Sequence, residues 1–130
     1  MRKIIGVITL LAVIICCASC GNVPELWTDA TYLENATVGE GEKQFTVEIT
    51  TDQKSITLTV KTNETILGEA LYNLELINDP TFFDVINGIK ADWNKYSAYW
   101  MFKKNGEYMN YGVGDEIIEN GANYQFVYTK

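Results

Sequence analysis

Between Phe45 and Leu74 the apolar pattern changes period, and that change commits the chain to a mixed architecture. Phe45, Val47 and Ile49 alternate with Thr46, Glu48 and Thr50. Ile56, Leu58 and Val60 alternate with Thr57, Thr59 and Lys61. Period two on β-branched residues predicts two half-buried strands. The polar stretch from Thr51 to Ser55 joins them as a hairpin. From Ile66 the period becomes helical: Ile66, Leu67, Ala70, Leu71 and Leu74 fall on one stripe. Thr65 is the expected N-cap, and Glu69 sits where the helix dipole favours an acid. Gly68 costs helix stability and is expected where the helix packs closely on a sheet. Asn78-Asp79-Pro80 closes the segment, because the residue before proline disfavours helical geometry.

Short strands with turn signals follow. Phe83, Val85 and Ile86 lead to Asn87-Gly88, and Tyr99 to Lys104 lead to Asn105-Gly106. Asn-Gly supplies the positive φ angles of a tight hairpin. After Asn120-Gly121, Tyr124, Phe126 and Tyr128 share one face of a last strand. Two strands, one helix and then more strands are most economically buried by crossing the helix over one face of the sheet. The expected fold is α+β: a β-grasp-like small mixed sheet with one packed helix.

The run WMFKKNGEYMNYGVGDEIIENGANYQFVYT, starting at Trp100, resembles the transcobalamin-like C-terminal domain family. Trp100, Asn105-Gly106, Gly112, Asn120-Gly121 and Tyr128 stand at the family's pattern positions. Upstream, TILGEALYNLELI resembles the family helix and VINGIKADW the Gly turn after it. The resemblance spans Gln44 to Lys130. It implies a β-grasp-type module, with cobalamin or a related corrinoid as the ligand to expect. The animal carriers of that family add a large helical domain, for which this chain has no room, and the chain has no histidine to ligate cobalt.

The first twenty residues predict where the module sits. Arg2 and Lys3 precede an apolar run of 12 residues, Ile4 to Ile15. That has the dimensions of a secretory signal and is short of the roughly 20 residues of a spanning helix. Cys17-Ala18-Ser19-Cys20 resembles a bacterial lipobox, with Cys17 where leucine is usual. The expected organisation is a lipoprotein signal peptide over 1–19, a linker over 20–43 and the module over 44–130. Cys20 is the expected lipidation site, which implies palmitate and a bacterial cell membrane anchor facing away from the cytoplasm. Cleavage would leave 8 basic against 17 acidic residues, shifting net charge from −7 to −9. Such a chain is repelled by anionic lipid, so it should stand off the bilayer on its tether. Within the linker, Trp27, Tyr32 and Leu33 are apolar exceptions able to dock on the module.

Charge and residue inventory exclude several functions. A net charge of −7 argues against nucleic acid, which needs clustered Lys and Arg. Ser-His and Cys-His nucleophiles are excluded by the lack of histidine, so no catalytic residue is assigned and a non-enzymatic chain is expected. The usual transition-metal site is excluded on the same ground, and no spaced Asp loop suggests calcium. Aromatic residues carry the remaining signal. Trp93, Tyr96, Tyr99, Trp100, Phe102, Tyr108 and Tyr111 crowd into 19 positions. Trp100, Phe102 and Phe126 are expected in the core. Trp93, Tyr96 and Tyr99, interleaved with Asp92, Asn94 and Lys95, form the candidate ligand site. Asn105 and Tyr108 join it at the hairpin tip, the surface that in the resembling family covers a corrinoid. The second class of function open to such a patch is a protein-interaction or adhesion module with a surface protein as partner.

Overall fold

The computed structural model describes residues 23–130. The expected signal peptide, Cys20 and the first residues of the expected linker lie outside the described residues. Eight strands and two short helices form: β1 Ala36–Gly39, β2 Lys43–Thr50, β3 Ser55–Thr62, α1 Leu67–Asn73, β4 Val85–Ile86, β5 Ile89–Lys90, α2 Trp93–Tyr96, β6 Tyr99–Lys104, β7 Glu107–Tyr108 and β8 Asn123–Thr129.

Six strands make one mixed sheet in the order β1-β3-β2-β8-β6-β7. β2 pairs antiparallel with β3 through the predicted hairpin, and its other edge pairs in parallel with β8, the last strand. β6 then pairs antiparallel with both β8 and β7. The first and last strands of the module therefore lie side by side at the centre, and α1 lies in the crossover between them. The α+β expectation, a mixed sheet with one main helix, holds. Alternation decides which face is covered. Phe45, Val47, Ile49, Ile56, Leu58, Val60, Tyr124 and Phe126 are buried, while the intervening polar residues are partly solvated. Trp100, Phe102 and Phe126 all lie in that core, and Phe102 stacks on Phe126 at 5.3 Å between centroids.

Three local details differ from expectation. Thr65 does not cap α1; the N-cap is Ile66, and the Leu67 N–H donates to the Glu116 carbonyl at 2.9 Å. A distant strand connection thus satisfies a donor that a local hydroxyl was expected to take. Gly68 meets the Pro80 carbonyl rather than the sheet, so the Asp79–Phe83 loop is what sits close on α1. The segment read as linker also contributes structure. Ala36–Gly39 adds a parallel edge strand to β3, while Trp27, expected to be able to dock on the module, is fully buried. The buried Asn87 holds the same segment, accepting from the Tyr32 N–H and donating to the Tyr32 carbonyl, at 2.8 and 2.9 Å.

The C-terminal end of α1 carries a non-glycine residue in the left-handed region: Glu75, at φ 61. The Leu76 N–H reaches the Leu71 carbonyl and the Glu75 N–H the Tyr72 carbonyl, both at 2.9 Å, which is the Schellman pattern. Glycine is the favoured residue there. Glu75→Gly should therefore stabilise the domain by about 0.5–1 kcal/mol, the gain from relieving left-handed strain less the entropy of glycine. Urea unfolding checks this; a destabilised variant would mean that the Glu75 side chain does more than occupy the turn.

Candidate functional site

Two tightly closed loops build an aromatic groove beside the start of β6. The first begins at Asp79. Its Oδ1 accepts from the Thr81 N–H at 2.9 Å, the Thr81 hydroxyl at 3.0 Å and the Phe82 N–H at 3.0 Å. Those bonds hold the Asp79 carboxyl below its ordinary pKa. The loop therefore presents Phe82 to solvent from a fixed backbone; Phe82 is 85% exposed. Its neighbour Phe83 turns inward and meets Phe126 edge-on at 5.6 Å. The second loop is α2. Asp92 is its N-cap, with Oδ1 accepting from the Lys95 N–H at 3.0 Å, and Ser97 ends it at φ 55. The Ala98 N–H returns to the Asp92 carbonyl at 3.3 Å, which closes the loop and leaves Trp93 on its rim.

Between these loops lies a concavity of ≈ 410 Å³. Ala91, Ala98 and Trp100 form its buried floor, and Phe82, Trp93 and Tyr99 its exposed rim. The Trp100 indole N–H donates to the Ile89 carbonyl at 3.2 Å, so the floor is fixed. Trp93 and Tyr99 stand with centroids 6.4 Å apart and planes tilted by 60°. Asp84, Lys90, Asp92 and Asn94 add polar groups around the rings. This is the composition of a small-molecule site: apolar walls with a few polar groups. A depression of ≈ 430 Å³ at the end of α1 has Tyr72 as its one aromatic lining residue, and is the weaker candidate.

The structure divides the predicted site residues. Trp93 and Tyr99 share the groove. Tyr96 lies on the same helical turn, does not line the groove, and has the Lys130 ammonium 6.0 Å from its ring centroid. Asn105 is at the far end of β6, about 20 Å along the strand from Tyr99. There it holds the Asn105-Gly106 hairpin at φ 52, and its Oδ1 accepts from the Asn123 N–H at 2.9 Å. Tyr108, on the two-residue strand β7, is exposed at that same end. Phe82 is the groove residue that the sequence pattern misses. Its signal was an Asx turn, Asp79-Pro80-Thr81, followed at once by two phenylalanines.

A second polar constellation is closed on itself. Glu116 is 2% exposed, and its carboxylate accepts from Tyr111 and Tyr124 hydroxyls, both at 2.7 Å, and from Lys104 at 2.9 Å. Lys104 also meets Glu119 at 2.8 Å. Burial opposes the Glu116 charge, yet these three donors outweigh it and hold the carboxyl below its ordinary range. Burial first, then the bond to Glu116, raises the Tyr124 phenol. Each group answers another, so the cluster works as a clamp joining β6, β8 and the start of α1.

The family described as Domain of unknown function (DUF4430) matches residues 58–130, from the middle of β3 to the last strand. The chain belongs to the DUF4430 family. Among curated proteins, none matches it. Among solved structures, a candidate metal-binding protein from Ruminococcus gnavus is similar at 23% identity and a TM-score of 0.63, covering 68% of this chain and 98% of that one. That likeness shows the shared fold. Haptocorrin in complex with Cbi is similar at 19% identity and a TM-score of 0.46, over 68% of this chain and 25% of that one. Among the described residues of this DUF4430 chain, no group of three or more Asp, Glu or Cys is placed to hold a metal ion. No described helix is long and apolar enough to cross a membrane.

Proposed function

We propose that this DUF4430 chain is a non-enzymatic lipoprotein, anchored through Cys20 on the outer side of a bacterial membrane, that binds a small ligand in the groove between Phe82 and Tyr99. The groove carries the reading: fixed loops hold exposed rings of Phe82, Trp93 and Tyr99 above a closed floor, with Asp92 and Asn94 alongside. Exposed aromatics on rigid backbone are costly to leave wet and are suited to covering a ligand. A corrinoid is the first ligand to test, since the sequence resembles a corrinoid-covering module and the haptocorrin neighbour was solved with Cbi. Half of such a pocket would come from elsewhere, so affinity should be modest.

Titration of the full-length chain with cobinamide and cobalamin should quench Trp fluorescence, and Trp93→Ala and Tyr99→Ala should each weaken the response by about tenfold or more. Binding that is equal in both variants moves the site off the groove. Silence up to millimolar corrinoid retires that ligand. Anchoring is checked separately: Cys20→Ser should abolish acylation and release the chain or leave its precursor, and a wild-type N-terminus without acyl mass would refute the lipid anchor.

The second reading is a protein-interaction module. It draws on β6, whose outer edge is paired by β7 only at Lys103 and Lys104 among the described residues. Tyr99 to Met101 thus leave a short strand edge open beside the aromatic rim, where an extended peptide could add. Co-purification of a protein lost on Trp93→Ala, with no small-molecule binding, would favour it.

A further inference from the structure

We infer that the groove selects a compact organic cation, an alkylated ammonium group, held between Trp93 and Tyr99 with Asp92 as counter-charge. This rests on the groove being the binding site and names the chemistry of its occupant. Ring faces carry negative quadrupole charge, and tryptophan offers the strongest attraction. The two centroids are 6.4 Å apart and the planes tilt by 60°. One cation can then lie within about 6 Å of both centroids, the range over which the attraction acts. The chain already uses this contact with its own lysines: Lys54 stands over Trp27, Lys104 over Tyr124 and Lys130 over Tyr96, at 5.9–6.0 Å. Trp93 and Tyr99 have no such cation among the described residues, although they are 63% and 42% exposed.

Charge around the groove points the same way. Lys90 is the opposing group, and it faces Asp84 at 3.9 Å. Asp84 also accepts from the Asn78 amide at 2.7 Å. Asp92 is different. One oxygen caps the Lys95 N–H, and the other has no partner among the described residues. A carboxylate beside two unpaired ring faces, in a chain of net charge −7, attracts a cation and offers little to a neutral molecule of the same shape.

The test compares choline with 3,3-dimethylbutan-1-ol, which has its shape without its charge. Calorimetric titration of the full-length chain in non-ionic detergent should show choline binding about tenfold more tightly. The preference should shrink as NaCl is raised. Trp93→Ala should remove it. Asp92→Asn should reduce it about tenfold while leaving thermal unfolding unchanged, because asparagine caps a helix as well as aspartate. Equal binding of the two probes, or binding of a neutral methyl glycoside in place of choline, would overturn the inference. If cobinamide binds in a Trp93-dependent way and choline does not, the cation inference falls and the groove stands as the site. If neither binds, both fall.

Discussion

Lys104→Met should destabilise the domain by about 3 kcal/mol, although Lys104 lies near the surface. The loss comes from what the lysine leaves behind. Glu116 is buried at 2% exposure, and Lys104 is the cation that meets its carboxylate, at 2.9 Å. Removing one member of a buried pair strands the other charge, which is where the penalty arises. Tyr111 and Tyr124 still donate at 2.7 Å, and this keeps the cost at the low end of that range. Adding Glu116→Gln to Lys104→Met should recover more than half of the loss, because the stranded charge is then gone. Urea midpoints at pH 7 for the two single variants and the double variant give the coupling directly. If Lys104→Met costs under about half a kcal/mol, the clamp is a surface pair of ordinary weakness.

The same cluster fixes a pH signature. The folded-state pKa of Glu116 lies below its ordinary value of 4.5. Its contribution to stability is therefore complete above that value and is lost as pH falls through the lower, folded one. Tyr124 works in the opposite sense. Its folded pKa lies above the ordinary 10.0, so its contribution is complete below pH 10 and is lost as pH rises further. In acid, wild-type protein should lose the advantage that Lys104 gives it. The gap between wild type and Lys104→Met should narrow below pH 4.5, whereas a constant gap would detach the effect from Glu116.

Features with a local cause were legible in the sequence. The β2–β3 hairpin follows from alternation on β-branched residues. The helix follows from its stripe, with Leu67, Ala70 and Leu71 buried. Both Asn-Gly pairs between strands adopt the positive φ angles that their chemistry favours, at 55 and 82 for Asn87-Gly88 and at 52 and 87 for Asn105-Gly106. Features set by long-range contact were not legible. Thr65 is a good local cap, but Glu116 supplies a carbonyl from 49 residues away to the Leu67 N–H. The candidate site split for the same reason. Aromatic density along a sequence cannot tell the two ends of a strand apart, and β6 carries Tyr99 away from Asn105. The Asx turn at Asp79 is a local signal for an exposed Phe82, but the place of that loop depends on Pro80 sitting against Gly68, a long-range contact that the turn motif does not encode.

Trp27→Ala should cost about 3–5 kcal/mol, the usual penalty for emptying a large aromatic site in a core. Trp27 lies in a single turn, Glu25–Trp27, within the segment whose composition read as a spacer. Its ring is fully buried, and its indole N–H donates to the Thr51 hydroxyl at 2.9 Å. Thr51 in turn accepts from the Gln53 and Lys54 N–H groups at 3.1 and 3.2 Å. The tryptophan thus seals the loop end of the β2–β3 hairpin, and losing it leaves a cavity larger than neighbouring side chains can fill. Sequence marks Trp27 as able to dock on the module, but its depth of burial stays hidden, because one tryptophan in a run of Gly, Pro and acids has no period. The strand Ala36–Gly39 was hidden likewise, with Val38 its one buried residue. For a domain of this size the variant should melt about 10–20 °C lower. A chain starting at Gln44 should lose more, since it also lacks β1 and exposes the edge of β3. If Trp27→Ala melts with wild type and the shortened chain is equally stable, the segment before Gln44 is a tether that merely rests on the module.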